Sequence, residues 1–367
     1  MSKPKISVVY HSTVFKSKDG IFLKKHWGQY FNELSKSFDL NIICFPSNKR
    51  EFFHDFKVNN DEINFHLTNE KNPLTKVFSR IKVFSYLFPR SKIIFILMPS
   101  ITSVLAGLFC MLLNRKYGLY FGLEPFNNRY NWFIKLILKW LINKAKFCLG
   151  TGSQVVEEIK KYSKVVYHTK PNILFNTKDI CTKTNFNTPV NLLFIGSLEK
   201  RKGLEYLIQA LKKPILQSKI NKLRIVGDGI LMGELKKLTV DIGLENKVDF
   251  VGYVSDSKDL IKYYKTSDIF ILPSFEEGFP RVLYESMING LVIITTPVNS
   301  IPSLLKNNES AIFIDPGSSD SIENALNNLI LNPDLMPRLA LNSQKIIRSI
   351  IDKSASDQHS EIIFNHI

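Results

Sequence analysis

Short apolar runs alternate with amphipathic stretches of helical period through the second half of this 367-residue chain, and that alternation leaves few folds open. From residue 191 onward the order is strand 191–195, helix 204–212, strand 222–226, helix 232–241, strand 248–250, helix 256–265, strand 269–272, helix 281–289 and strand 291–295. Strands separated by helices of this length run parallel, joined by right-handed crossovers, with helices covering both faces of the sheet. Gly290 stands where a left-handed cap would end helix 281–289.

The first half repeats the alternation less regularly, with strands at 6–10, 40–45, 92–97 and 147–149 and helices at 23–38, 104–113 and 132–145. Residues 174–190 are rich in Asn and Thr without an apolar period and read as a linker. The expected class is therefore α/β, with two Rossmann-like, doubly wound domains, residues 1–182 and 183–341, facing each other across a cleft. Residues 342–367 are expected to form a last helix packing back on the first domain. Ligands of such sheets bind outside the carboxyl ends of the strands, so the interdomain cleft is the expected site.

Composition narrows the setting. The longest apolar run, 101–113, is interrupted by Thr102, Ser103 and Gly107, is too short to span a bilayer and reads as a buried helix. Met1 to Lys5 lead straight into strand 6–10 with no apolar segment of signal-peptide type. Cys44, Cys110, Cys148 and Cys181 form no Cys-x-x-Cys pair, so neither a zinc site nor a disulfide framework is expected, and a cytoplasmic location is. Residues 1–180 carry 28 Lys+Arg against 12 Asp+Glu, whereas residues 181–367 carry 21 of each. A basic half suits an anionic membrane surface, a lipid-phosphate substrate or nucleic acid, or is a plain lysine-rich solvated surface. No nucleic-acid-binding motif accompanies it, so no nucleic-acid partner is expected, though the charge keeps a basic nucleic-acid-binding protein as a rival reading. In the helix over 132–143 Lys135 and Lys139 make a narrow charged stripe on an otherwise apolar cylinder. That pattern reads either as a mostly buried helix or as one lying at a membrane interface, with Trp at headgroup depth.

Chemistry concentrates in Pro273-Ser274-Phe275-Glu276-Glu277-Gly278-Phe279-Pro280-Arg281-Val282-Leu283-Tyr284-Glu285, directly after strand 269–272. A helix starting near Pro280 leaves Glu277 on the loop and puts Glu285 about one turn inside. The free N–H groups at the helix start can receive an anion between them. Three more strand ends turn on glycine or cations: Gly196-Ser197-Leu198-Glu199-Lys200-Arg201-Lys202-Gly203, Gly227-Asp228-Gly229 and Gly252-Tyr253.

In this order and spacing the four segments resemble the second domain of the family 4 retaining glycosyltransferases, which have the GT-B fold. The resemblance is strong over residues 190–335 and holds in outline before them. It implies transfer of a hexosyl or N-acetylhexosaminyl group, with retained configuration, from a nucleotide diphosphate, expected to be UDP. The acceptor would be a cell-surface glycan or its lipid-linked precursor, of capsule, O-antigen or lipopolysaccharide type. Neither a metal nor another cofactor is expected, and the chain holds no Asp-x-Asp. Lys202 would meet the diphosphate and Glu277 the transferred sugar, as the catalytic pair, while Glu285 would bind the ribose. Gly20, Ser197, Arg201, Gly252, Tyr253, Gly278, Phe279 and Arg281 would complete the donor site. His11 would face the acceptor.

Ser197 departs from the family, where Arg is frequent as a second diphosphate clamp, and Arg201 or Arg281 is left to replace it. That departure keeps a second reading open, a nucleotide-sugar-binding protein without catalysis. With the charge split, the enzyme would work on the inner face of the cell membrane as a peripheral protein.

Overall fold

The computed structural model describes residues 3–367 apart from 48, 52–53, 59–61, 69–72, 123–124, 127–129, 173–176, 255, 278–279 and 352–353. The chain divides into two compact units, Met1–Leu174 with Lys353–Ile367, and Phe175–Asp352.

The first unit is built on β1 (Lys5–Ser17), β2 (Gly20–Leu23), β3 (Asp39–Pro46), β4 (Phe56–Val58), β5 (Ile63–Leu67), β6 (Ile93–Met98), β7 (Tyr117–Phe121), β8 (Phe147–Thr151) and β9 (Val166–Thr169). Its parallel strands lie in the order β5-β3-β1-β6-β7-β8-β9. Chain order therefore reverses between β1 and β6, the switch point of a doubly wound sheet. Every residue of β6 is buried, which is why it reads as an unbroken apolar run.

Strand one does not stop at Tyr10 as the sequence suggests. After a register shift between Val9 and Thr13 it continues to Ser17, then pairs antiparallel with β2 from Ser17 opposite Gly20. The hairpin takes the residues expected to begin helix 23–38, and that helix runs Lys25–Ser35.

The second unit is a six-stranded sheet: β10 (Val190–Ile195), β11 (Ile220–Val226), β12 (Val248–Gly252), β13 (Ile269–Leu272), β14 (Val292–Thr295) and β15 (Ile312–Phe313). All its pairings are parallel, in the order β12-β11-β10-β13-β14-β15, and the switch point falls between β10 and β13. Gly290 ends helix Arg281–Ile288 with φ +70°, the left-handed conformation its position predicts.

Two helical expectations change. The single helix over 342–367 is two helices: Leu335–Ile350 ends in the second unit, and Ala355–Phe364 starts afresh where the Ser354 hydroxyl caps the Asp357 N–H. The second of them does pack on the first unit, with Ile363 fully buried among Leu34, Phe38 and Phe147. The helix expected to be buried near 104–113 runs Ile101–Leu112 and buries one face only, around Val104, Ala106 and Cys110, while Ile101 and Leu112 stay exposed. Among the described residues no helix is long and apolar enough to cross a membrane.

Candidate functional site

Beyond β10 the chain passes through Gly196 into the tight turn Lys200–Lys202, and beyond β13 it runs through Pro273 to Glu277. These strands flank the second unit's switch point, where the crossovers leave toward opposite faces and open a crevice. Two glycines let the loops close on each other. Gly203 has φ +63°, and a Cβ there would lie 2.4 Å from the Pro273 carbonyl oxygen. At Gly227, with φ +137°, a Cβ would lie 1.9 Å from the Gly196 carbonyl oxygen. The Phe275 N–H donates to the Arg201 carbonyl at 2.8 Å, which docks the basic turn on the acidic loop.

That docking brings Lys202 and Glu277 together. Lys202 Nζ lies 2.5 Å from Glu277 Oε1, and the Ser274 hydroxyl donates to the same oxygen at 2.5 Å. The Glu277 N–H donates to Asn299 Oδ1 at 3.2 Å, and Asn299 holds φ +48°. Arg201 Nη1 stands 4.0 Å from Glu277 Oε2, while its Nε donates to Glu199 at 2.7 Å. Lys202 is 7 % exposed and Glu277 5 %. Burial pulls the Lys202 ammonium below its usual pKa, and the neighbouring Glu277 carboxylate partly restores it. A buried ion pair is weak evidence of stabilisation, because desolvation of both ions offsets their attraction. Two opposite charges held in a crevice this way are instead a candidate reactive site.

Glu285 sits one turn inside helix Arg281–Ile288, 9 % exposed, and its Oε2 accepts the hydroxyl of the fully buried Tyr264 at 2.6 Å. Burial raises the Glu285 carboxyl pKa, against the opposing effects of Tyr264 and the Arg281 charge. Arg281 opens that helix, so the two candidate cations divide: Arg201 stands by Glu277, and Arg281 acts on Glu285. Gly252 ends β12 at φ +83°, with its carbonyl accepting the Gly227 N–H, and Tyr253 follows it partly exposed. Ser197 is half-buried on the loop beyond Gly196. Gly278 and Phe279 lie outside the described residues.

The remaining two candidates belong to the first unit. Gly20 opens β2 inside a hairpin rather than a loop beyond the parallel part of strand one. His11 follows the parallel core of β1, at that unit's switch point; its Nδ1 is buried with no partner among the described residues, and burial lowers its pKa against the raising effect of the Leu97 backbone. Three residues the sequence reading did not assign help build the second-unit cluster: Ser274, Asn299 and Tyr264. Ser274 was within reach of sequence reasoning, three residues before Glu277 on the same loop. Asn299 and Tyr264 carry no local signal, because Asn299 meets the Glu277 backbone N–H and Tyr264 the Glu285 carboxylate through tertiary packing.

Residues 177–346 match the family described as Glycosyl transferases group 1. The chain is 36% identical over 131 residues to an uncharacterised glycosyltransferase of Methanocaldococcus jannaschii, covering 36% of this chain and 33% of that protein. It is 33% identical over 135 residues to the UDP-Gal:alpha-D-GlcNAc-diphosphoundecaprenol alpha-1,3-galactosyltransferase of Escherichia coli, covering 36% of this chain and 34% of the relative. The chain thus spans about a third of the length of these curated relatives. Among solved structures, Anabaena HepE in complex with UDP and glucose superposes with a TM-score of 0.73 at 17% identity, covering 99% of this chain and 100% of that one. The fold is that of the GT-B glycosyltransferases, in agreement with the resemblance carried by residues 190–335.

Proposed function

We propose that the chain, whose residues 177–346 match the group 1 glycosyltransferases, is a retaining, family 4 transferase moving a sugar from a UDP-sugar to a glycan or lipid-linked acceptor. The observation that carries this reading is the Lys202–Glu277 pair, buried between the two loops of the second unit's switch point, with Arg201 beside it. The donor diphosphate draws the Lys202 ammonium and the Arg201 guanidinium, which offset the charge that grows on the leaving phosphate. Glu277, released from Lys202, accepts hydroxyls of the transferred sugar, and Glu285 those of the ribose. The carbon–oxygen bond between the sugar and the diphosphate breaks, and the acceptor oxygen bonds to the same face of that carbon. The acceptor's proton goes to the departing phosphate oxygen.

Arg201 supplies the second cation missing at Ser197, which favours an enzyme over a protein that only binds nucleotide sugars. The cations also take the charge-stabilising role without a metal ion. Backbone N–H groups near Arg281, with Ser197, Gly252, Tyr253, Gly278 and Phe279, complete the second unit's share of the donor site. The UDP in the HepE complex and the UDP-galactose donor in the E. coli relative's name support the donor class. That relative's diphosphoundecaprenol acceptor supports a lipid-linked acceptor, met at the inner face of a cell membrane by a cytoplasmic, peripheral protein.

The test is a thermal-shift panel of UDP-, GDP- and ADP-sugars on the wild type and on Lys202→Met, followed by transfer assays of Glu277→Gln. A ligand at about a hundred times its Kd stabilises the folded state by about 2.7 kcal/mol. UDP-sugars should raise the melting temperature most, Lys202→Met should remove most of that rise, and Glu277→Gln should transfer about a hundredfold more slowly. No response to any nucleotide sugar, or wild-type transfer by Glu277→Gln, defeats the assignment.

A further inference from the structure

Three helices of the first unit, Pro73–Leu87, Ile101–Leu112 and Trp132–Lys144, pack side by side on one face of its sheet. Phe84 and Phe88 meet Phe109 at ring distances of 5.8 and 6.1 Å, and Gly107 lets the middle helix come close to Leu141 of the third. Their inner sides share one core with Val9, Ile94, Ile96 and Leu119 of the sheet. Their outer sides are unusual for a soluble surface. Phe78 is 71 % exposed, Leu112 78 % and Trp132 77 %, and Phe133, Leu136 and Trp140 are about half exposed or more. Positions 132, 133, 136 and 140 fall on one side of their helix, so the exposed groups make a stripe rather than a scatter.

The charge around them has one sign. Residues 71–156 contain 13 Lys+Arg and a single acid, Glu124. The first unit as a whole carries 28 Lys+Arg against 13 Asp+Glu, and the second 21 against 20. Aromatic and aliphatic groups framed, among the described residues of 71–156, by cations alone match the headgroup region of an anionic bilayer, where Trp sits at the interface and Lys reaches the phosphates. A second copy docking here would bring two faces of the same charge together. Nucleic acid would leave the aliphatic stripe without an apolar partner.

We propose that this three-helix face is a docking surface for an anionic lipid bilayer, seated at headgroup depth without crossing it. It deepens the reading of a lipid-linked acceptor and rests on that reading only for its purpose, since the surface is defined by its own residues. The second choice left by the sequence, a helix at a membrane interface, is taken for Trp132–Lys144, and two neighbouring helices join it.

The test uses the full chain with vesicles of phosphatidylcholine, with and without phosphatidylglycerol. Two of the chain's three Trp residues lie on the face, so intrinsic fluorescence reports docking directly. Anionic vesicles should shift the emission to the blue and co-sediment the protein, neutral vesicles should do neither, and added salt should weaken the effect. Trp132→Ser with Leu136→Ser and Trp140→Ser should cut partitioning at least about tenfold. Each cation removed, as in Lys135→Gln or Lys144→Gln, should cost roughly fivefold.

Equal binding to neutral vesicles, absence of binding to anionic ones, or wild-type binding by the triple variant overturns the proposal. Self-association that the triple variant abolishes, without any vesicle binding, would hand the face to a second copy and overturn it too. The UDP-sugar thermal shift, measured without vesicles on the same proteins, should be unchanged in these variants. Vesicle binding with no such shift in the wild type would leave the docking surface standing and remove the enzymatic reading.

Discussion

Tyr264 reaches Glu285 from 21 residues earlier in the chain, and its hydroxyl is the buried donor to one carboxylate oxygen. Burial alone pushes the Glu285 carboxyl toward its neutral form, and the Tyr264 hydrogen bond works against that shift. Under the proposed donor role Glu285 accepts ribose hydroxyls best as a carboxylate. Tyr264→Phe keeps the ring and removes the bond, so the Glu285 pKa should rise further. Donor affinity at neutral pH should drop, by up to about tenfold for each pH unit by which the Glu285 pKa comes to lie above the assay pH. The pH below which donor binding fades should move upward, because protonation of Glu285 then begins at higher pH. Titration calorimetry with a UDP-sugar across pH reads both effects. A variant that melts earlier but keeps the wild-type pH profile would give Tyr264 a purely structural role. At this scale Lys202, Glu277 and Glu285 were legible because loop and helix positions fix where each lies relative to its strand. Tyr264 was not, because nothing in a helix of ordinary amphipathic pattern marks which residue will face a carboxylate from another helix.

Among the elements, the basic turn after β10 is placed by backbone as much as by charge. Gly203 combines a left-handed φ of +63° with the near contact to the Pro273 carbonyl, so any side chain there meets both backbone strain and a clash. Gly203→Ala should destabilise the second unit by about 1–3 kcal/mol. It should also lift Lys202 away from Glu277, with transfer falling more steeply than melting temperature. Gly243→Ala is the control, since φ is +71° there too but nothing lies within 4 Å of the added Cβ. Denaturant unfolding and transfer rates on both variants check the pair, and equal loss of transfer in the two would detach the effect from the turn. The central second-unit strands β10, β13 and β14 were readable because every residue in them is buried and they read as unbroken apolar runs, whereas the two-residue β15 at the sheet edge left no such signal. The β1–β2 hairpin was not, because its turn, Lys18-Asp19 followed by Gly20, looks like any polar loop and the extension of β1 past Tyr10 depends on pairing with β2 and β3. The Asn-rich stretch before β10 reads as a linker, yet Lys183 and Asn187 are anchored on the buried carboxylate of Asp268, a tie that composition does not reveal.

Across the whole molecule, the chain builds the first unit, leaves it for the second, and returns with its last helix to complete the first. The returning helix Ala355–Phe364 fills the core with Ile363, sets Phe364 against Phe38 and buries His359 among the rings of Tyr30, Phe95 and Tyr120. His359 Nδ1 is 2.7 Å from the Tyr30 hydroxyl, and these ring contacts supply no carboxylate to balance an imidazolium. Burial accordingly lowers its pKa to about 3. The unfolded chain holds that imidazole near its ordinary value of about 6.5, so below this pH the unfolded state binds the extra proton first. The stabilisation is complete above about pH 6.5 and is lost as pH falls toward about 3, by up to about 1.4 kcal/mol for each pH unit. The other imidazoles shifted in the same direction, His11, His54, His66, His168 and His366, add to the acid sensitivity of the first unit, so the measurement must isolate one of them. His359→Gln can keep the bond to Tyr30 and removes the titration. Denaturant unfolding of both proteins at several pH values should give parallel stabilities above about pH 7 and a gap that closes, then reverses in favour of the variant, as pH drops toward about 4. A wild type and variant whose stabilities stay parallel down to that pH would mean that His359 is charged or solvated in the folded chain. The returning helix would then be held to the first unit by its aliphatic and aromatic contacts and by the hydrogen bond from the Lys170 N–H to Gln358.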